Sequence, residues 1–370
     1  MSHSFYFHNS EYQLERYPKT SNRSLQPVSN SELLVLKELE KQKYLHQIHL
    51  YNDRFGVWNC ALHKKNPITI WNYASQKKAI RLNLEKNGLT YNEDRFKTPL
   101  ESVHQVELAL IKVPKSVELF ELYLRQIHEA ATEKTEVVCG FMTKYFTPSL
   151  LKIAERYFEE VSQSLAWKKA RLLMLKKPRL LREHKFASKP DSIKMSISWK
   201  GNSLQQYYGV FSSGKIDIGT QYFLKDLDIK SHEIKILDLA SGNGIIAWEA
   251  QRLNPNAELT LLDDSILAIE SSKLNLTENA HFLCDDDLLQ LPENHFDLVL
   301  SNPPFHFEYE NNIEVSLQLF RQVSSRLQPN GRFLLVANKH LNYSTHLQRI
   351  FSKVLQRKAN DKFEVLECMK

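Results

Sequence analysis

The sequence predicts an α/β protein built as two tandem units from an internal duplication. Strand and helix signals alternate through the C-terminal half. The N-terminal half repeats that layout, in the same order, at an offset of about 190 residues. At 370 residues the chain also exceeds one ordinary domain.

In the C-terminal half, IKILDLA (234–240) is a short buried-strand run closed by a Gly-bearing turn at 241–244. IIAWEAQRL then reads as a helix, AELTLLD as a strand and SILAIESSKLNL as a helix. HFLCD, FDLVLS and RFLLVAN add strands, with IEVSLQLFRQVSSRL as the helix before the last of them. Such alternation implies a parallel sheet covered on both faces. In the first half, IHLYNDRFGVWNCAL (48–62) parallels IKILDLASGNGIIAW, and AIRLNLEKNG (79–88) parallels SSKLNLTEN. VELALIKVPK (106–115) parallels FDLVLSNPPF, and VVCGFMTKYFTPSLLKIAERYF parallels LLVANKHLNYSTHLQRIFSK. Four matches in one order argue for duplication of a whole domain. The copies differ where chemistry would sit: Asp53, Arg54 and Phe55 precede Gly56 where the second copy has Ser-Gly-Asn-Gly, and Lys112-Val-Pro-Lys115 replaces Asn302-Pro-Pro-Phe305. The expected organisation is a degenerate unit over 1–175, a basic linker over 176–200 and a catalytic unit over 201–370.

Hydrophobic residues make up 42% and charged residues 25%, the balance of a globular protein with sizeable cores. No apolar run approaches the roughly 18–20 residues of a membrane span, and the N-terminus lacks an export pattern, so a cytoplasmic protein without a membrane partner is expected. Cys60, Cys139, Cys284 and Cys368 are isolated, without metal-ligand spacing, and no metal is expected. The net charge of +6 is compatible with a nucleic-acid partner without demanding one. From Lys168 the stretch KKARLLMLKKPRLLREHKFASKPDSIKMSISWK is strongly basic; it reads either as a solvated linker or as a phosphate-contacting surface.

DLASGNG (238–244) places an acid at the end of the first strand of the second unit and glycines in the turn that follows. Small residues let a ligand approach the backbone at the carboxyl end of a sheet. A dinucleotide fingerprint is absent, with Ala247 in the place of a third glycine. Asp238 would oppose a pyrophosphate but suits a cation, and S-adenosylmethionine carries an ammonium and a sulfonium. Asp263, about 20 residues on, is placed for both ribose hydroxyls; alternatively Asp263-Asp264-Ser265 caps a helix. Among Asp285, Asp286 and Asp287, Asp286 is favoured for the adenine amine; the other reading is a solvated acidic loop.

SNPPF (301–305) ends the fourth strand. An exocyclic aromatic amine is a poor nucleophile, since its lone pair is delocalised into the ring. Acceptors for both N–H bonds would turn that lone pair toward a methyl group. Asn302 offers its side-chain oxygen and Pro303 its carbonyl. Pro303 and Pro304 hold the backbone rigid, and Phe305 provides a face for the base to stack on. His306 contacts RNA or caps the loop.

With these residues in view, the C-terminal half resembles the class I S-adenosylmethionine-dependent methyltransferases that methylate amines. The whole chain resembles the bacterial ribosomal RNA guanine-N2 methyltransferases, through LERYP, LIKVPK, LAWKKARLL, VFSSGKIDIGTQYFL and SNPPFH. The resemblance implies two tandem class I methyltransferase-like (Rossmann-like) domains, only the second catalytic. VANKHLNYSTHLQRIF and DKFEVL resemble the large-subunit (23S) enzymes rather than the small-subunit (16S) ones. It also implies S-adenosylmethionine as cofactor and N2-methylguanosine in 23S rRNA as product, made on free RNA or a partly assembled large subunit, by an enzyme expected to be monomeric. Carried over, Asp238, Ala240, Gly242 and Gly244 form the methionine-side turn, Asp263 is the ribose acid, and Asn302 to Phe305 are the catalytic tetrapeptide, with Asn302 also bordering the cofactor. Within VFSSGKIDIGTQ (210–221), Phe211 and Asp217 are expected to cover the cofactor. The family's turn is Gly-Cys-Gly-Asn-Gly; Ala240 departs from it and is expected at worst to weaken cofactor binding. Rival readings are an adenine-N6 or glutamine-N5 methyltransferase using the same tetrapeptide, or an idle RNA-binding factor that would give no heat with S-adenosylmethionine.

Overall fold

The computed structural model describes residues 3–22, 24–41, 46–179, 193–212, 214–277, 279–303, 306–307, 310–311 and 313–370. The chain divides into two units, 1–192 and 193–370, each built on a seven-stranded sheet. The first sheet contains β1 (Ile48–Tyr51), β2 (Ile68–Ile70), β3 (Phe96–Lys97), β4 (Val106–Lys112), β5 (Ala131–Met142), β6 (Phe158–Gln163) and β7 (Ala170–Pro178). Their spatial order is β3-β2-β1-β4-β5-β7-β6. The second sheet contains β8 (Lys235–Leu239), β9 (Glu258–Asp263), β10 (His281–Cys284), β11 (Phe296–Ser301), β12 (Leu327–Asn338), β13 (Lys353–Ala359) and β14 (Phe363–Met369). The order β10-β9-β8-β11-β12-β14-β13 is the same. In both, the first six strands in chain order run the same way, and the seventh (β7 or β14), inserted between the fifth and the sixth, runs against them.

The first unit carries helices α1 (Asn30–Leu39), α2 (Val57–Ala61), α3 (Ala74–Lys86), α4 (Val117–Glu129) and α5 (Pro148–Tyr157). The second carries α6 (Ile218–Leu224), α7 (Ile245–Leu253), α8 (Ile266–Lys273), α9 (Glu314–Arg326) and α10 (Tyr343–Leu347). Alternation along β8 shows how the second sheet is covered. Ile236 packs with Ile245, Ile246, Ala247 and Ala250 of α7, whereas Leu237 and Leu239 pack on the other face with Leu319, Phe320 and Val323 of α9. Each such fully buried aliphatic side chain contributes on the order of 1.5–3 kcal/mol. Asp238 shares the parity of Ile236, which aims its carboxylate at the first turn of α7.

Details beyond topology repeat between the units. A register shift interrupts the β4–β5 pairing between Val106 and Leu108, and the β11–β12 pairing between Phe296 and Leu298. A hairpin precedes each sheet: His3–Phe7 with Ser10–Leu14, and Lys194–Trp199 with Asn202–Tyr207. Asparagines at matching positions help hold the two hairpins, and in the first Asn87 adds a bond from Gln13 N (2.8 Å) and one to the Gln13 carbonyl (2.7 Å). Asn83 accepts from Glu15 N (2.8 Å) and donates to the carbonyls of Glu15 and Phe55 (2.9 Å each). Asn275 accepts from Gln205 N (2.7 Å) and donates to the carbonyls of Gln205 (2.8 Å) and Asn243 (2.9 Å). Because Asn275 ties the second hairpin into its unit, that unit begins near 193. The sequence reading places the start of the catalytic unit at 201, which leaves the first strand of this hairpin in the linker. The basic stretch taken as a linker is strand in β7 up to Pro178 and again from Lys194; residues 180–192 lie outside the described part. Cys60, Cys139 and Cys368 are buried free thiols, and Cys284 is half-buried. Among the described residues no helix is long and apolar enough to cross a membrane.

Candidate active site

The site is assembled where β8, β9 and β11 end. After β8 the backbone turns through Ala240 (φ 59°), Gly242 (φ 57°) and Gly244 (φ 79°), all left-handed, and enters α7. Gly244 is required twice over, since a Cβ there would lie 3.0 Å from Ser272 Oγ. A Cβ on Gly242 would meet nothing within 4 Å, so that side of the turn is open. Neighbours pin the turn: Ser272 Oγ donates to the Gly242 carbonyl (3.0 Å), Gly242 N donates to Asp263 Oδ2 (2.9 Å), and Asn243 Nδ2 donates to Gln206 Oε1 (3.0 Å).

Asp238 is fully buried, and its Oδ2 accepts from Ala247 N (3.0 Å). Among the described residues its Oδ1 has no partner. Burial pushes this carboxyl up to about 7; the Ala247 N–H opposes the rise and the nearby Asp263 adds to it. A buried, half-satisfied carboxylate is costly alone and is relieved by a cation, so the donor set fits an ammonium-bearing ligand. Asp263 uses Oδ1 to accept from Ser265 N (2.8 Å) and Oδ2 to accept from Gly242 N. Its carboxyl is pushed up to about 6, by burial first, against the pull of those two N–H groups. Ser265, not Asp263, caps α8, which leaves Asp263 bound to the turn. Asp285 is committed to its own loop, accepting from Asp286 N and Gln290 Nε2 (2.8 Å each), while Asp286 is half-buried. Among the described residues, Asp285, Asp286 and Asp287 are the acids close enough to share a cation, with oxygens within 4.8 Å.

On the other side of β8, Ser301 Oγ donates to the Leu239 carbonyl (2.7 Å) and ties the ends of β8 and β11 together. Asn302 follows directly. Its Nδ2 lies 2.8 Å from Thr220 Oγ1 and 3.3 Å from Asp217 Oδ2. Asp217 is the N-cap of α6, its Oδ2 accepting from Gly219 N (2.8 Å) and Thr220 N (3.2 Å). The segment from Gln206 to Asp217 therefore touches the glycine turn at one end and Asn302 at the other. Within it Val210 and Ile216 are buried, and Phe211 is 66% exposed. Pro303 is buried; Pro304 and Phe305 lie outside the described residues. Thr220 lies in the 210–221 segment expected to cover the cofactor, but its contact with Asn302 was not expected, and Gln206, Ser272 and Asn275 were not expected at the site. Only Asn275 left a signal in the sequence, as the shared asparagine of the two LNL segments.

In the first unit the matching edge is filled by its own side chains. Asn52 (φ 58°) and Gly56 (φ 81°) repeat the backbone of Ala240 and Gly244, and Arg54 stands at the place of Gly242. Its guanidinium, on a side chain 5% exposed, donates to Ser75 Oγ (2.8 Å) and packs over the rings of Phe55 and Tyr73 (5.6 and 5.7 Å). Leu50 holds the strand position of Asp238, and the carboxylate has moved into the turn: Asp53 Oδ2 accepts from Trp58 N (3.0 Å) and Asn59 N (2.9 Å). Lys112 stands where Asn302 does and pairs with buried Glu32 at 3.1 Å.

Residues 2–179 match the family described as RLMG N-terminal domain, and residues 202–367 match the Methyltransferase small domain. The chain is 30% identical, over 97% of its length and 96% of the relative's, to ribosomal RNA large subunit methyltransferase G of Klebsiella pneumoniae (strain 342). The chain belongs to the ribosomal RNA large subunit methyltransferase G family. A solved structure, the T. thermophilus 16S rRNA N2 G1207 methyltransferase (RsmC) in complex with AdoMet and guanosine, superposes with a TM-score of 0.74 at 19% identity, covering 100% of this chain and 98% of that one. At that identity the likeness speaks for the fold: this large subunit methyltransferase G family member is two methyltransferase-like units in tandem.

Within the turn, Ala240 is a non-glycine residue held at positive φ. A non-glycine residue in the left-handed region costs about 1–2 kcal/mol, part of which glycine returns as unfolded-state entropy. Ala240→Gly is expected to raise Tm by about 1–3 °C, read by scanning calorimetry. Calorimetric titration of the same variant tests whether Ala240 weakens cofactor binding.

Proposed function

We propose that this enzyme transfers the methyl group of S-adenosylmethionine to the exocyclic N2 of one guanine in 23S rRNA. The observation that carries the reading is the meeting, at one sheet edge, of a buried carboxylate with one oxygen unpartnered among the described residues and an asparagine amide held at the end of the central strand. When bound, the cofactor supplies an electrophilic methyl on its sulfonium. Asp238 balances the ammonium, the second lone pairs of Asp263 accept from the ribose hydroxyls, and Asp286 receives the adenine amine. Phe211 and Asp217 border the cofactor from the segment that spans the turn and Asn302. Asn302 Oδ1 and the Pro303 carbonyl accept the two N–H bonds of the guanine amine and turn its lone pair outward, and Phe305 stacks on the base. Positioning supplies the rate, without a strong general base. N2 of a paired guanine lies in the minor groove with one N–H engaged by cytosine, so the base enters unpaired or flipped, at a cost of a few kcal/mol. The enzyme acts in the cytoplasm as a monomer, on free 23S rRNA or a partly assembled large subunit. Nucleoside mass spectrometry of rRNA from a deletion strain is expected to lack one N2-methylguanosine, which primer extension then locates. An unchanged 23S nucleoside profile would refute the reading.

The first unit offers RNA a basic, aromatic tip. Lys168 and Lys169 form the two-residue loop between Trp167 and Ala170, whose backbones exchange hydrogen bonds of 2.8 Å. Both lysines are left-handed (φ 46° and 63°), in a turn that favours Asn-Gly. Trp167 lies beneath Lys37 and Lys168, and Leu165 is 90% exposed. Lys168, Lys169 and Lys115 are exposed, whereas Lys112 is committed to Glu32. Lys168→Glu with Lys169→Glu is expected to raise KM for rRNA about tenfold and flatten its salt dependence, with cofactor affinity unchanged. Unaltered RNA kinetics would remove the tip from the model of binding.

A further inference from the structure

We propose that Thr220 is a positioning residue for methyl transfer: with Asp217, it decides which end of the Asn302 amide faces the acceptor amine. This rests on the methyltransferase reading above. The two ends of an asparagine amide are nearly the same size but opposite in function, and only the oxygen can receive an amine N–H. Turned the other way, Asn302 would present its own N–H bonds to the N–H bonds of the substrate.

The surroundings break that symmetry. A carboxylate only accepts, and Asp217 Oδ2 lies 3.3 Å from the amide. The group facing it is therefore Nδ2. Thr220 Oγ1 receives the same nitrogen at 2.8 Å, the shorter of the two contacts, and so sets its direction. Oδ1 is left without a hydrogen bond among the described residues, available to a substrate. Thr220 is itself held in place. It is 6% exposed, is the third residue of α6, and its N–H is received by Asp217. A hydroxyl on a capped helix turn is a stiff support, since its backbone cannot move without breaking the cap.

The first unit supplies an independent observation. Glu32 is the third residue of α1, which Ser29 caps, and it pairs with Lys112 at the end of the central strand. The same two positions are thus joined in both copies, by a charge pair in one and an amide–hydroxyl bond in the other. An ammonium has no acceptor to offer a substrate. An amide anchored through its nitrogen has one.

The full-length enzyme is assayed on rRNA from a strain lacking it, comparing Thr220→Val, Thr220→Ser and Asn302→Ala. Misplacing a reacting group by about 1 Å costs about 10²-fold, so Thr220→Val is expected to lower kcat by about 30- to 100-fold. KM for S-adenosylmethionine and for rRNA should stay within about twofold, and Thr220→Ser should recover most of kcat. A Thr220→Val enzyme with wild-type kcat overturns the proposal, as does a Thr220→Ser enzyme as slow as Thr220→Val. The Asn302 side-chain amide signals, followed in protein labelled with ¹⁵N-asparagine and assigned by their loss in Asn302→Ala, test the orientation without substrate. They should move in Thr220→Val and return in Thr220→Ser; superposable signals in wild type and Thr220→Val overturn it. A wild-type enzyme that leaves 23S rRNA unmethylated is a failure of the function reading instead, and the amide signals still decide the positioning.

Discussion

Asn302→Ala is expected to lower kcat by about 10²–10³-fold, the usual cost of deleting one preorganised hydrogen-bonding group at the reacting centre. The affinity for S-adenosylmethionine should change by less than about threefold. The reason for the split lies in what the side chain touches. Its nitrogen is bound to Thr220 and Asp217, so the amide is not part of the turn that carries Asp238 and Gly242. Its oxygen serves the incoming amine, whose lone pair becomes available to the methyl group only when both N–H bonds are received. Single-turnover methylation of undermethylated rRNA, with calorimetric titration of the cofactor, separates the two quantities. Equal losses in both would mean that Asn302 holds the cofactor rather than the acceptor.

The second large effect is a pH dependence of cofactor binding. Burial raises Asp238 from the usual 3.8 to about 7 in the free protein. Because this acid binds its proton more tightly folded than unfolded, its ionisation costs stability that is lost as pH rises from about 4 through about 7. A bound ammonium recovers that cost and needs the carboxylate charged. Affinity for S-adenosylmethionine should therefore rise by about tenfold per unit as pH approaches 7 from below, and level off above it. Asp238→Asn keeps an acceptor for Ala247 N but not the charge. It is expected to weaken binding above pH 7 by about 10²-fold or more, the range seen when one member of a buried charge pair is lost. The slope should flatten to a residual component near 6 from Asp263. The free variant should melt higher than wild type at pH 8, since a buried charge has been removed. A pH-independent affinity in wild type would mean that Asp238 meets no cation.

Much of this molecule was legible in the linear pattern, and the reason is periodicity. Short apolar strands alternating with helix-spaced runs specify a parallel sheet because one covered face per element is the way to bury them all. The duplication was readable for the same reason, since repeated burial demands repeated pattern. Asp238, Asp263 and Asn302 could be picked out because each follows a strand, and strand ends in such a sheet open onto one crevice.

What the pattern could not carry is the set of contacts between residues far apart in the chain. Thr220 lies 82 residues from Asn302, and nothing in the 210–221 segment points to Asn302 as its partner. Asn275 reaches across 70 residues to Gln205, so the hairpin of the second unit looked like linker until its asparagine anchor was seen. Nothing in the sequence around Lys112 announces its partner, buried Glu32. The amino-acid order by itself determined the fold, its duplication and which strand ends bear chemistry, because those follow from local periodicity and burial. Only the tertiary structure decided which end of the Asn302 amide is presented and that Asp238 is buried with one oxygen unpartnered among the described residues, because hydrogen-bond direction and desolvation are set by neighbours that meet in space alone.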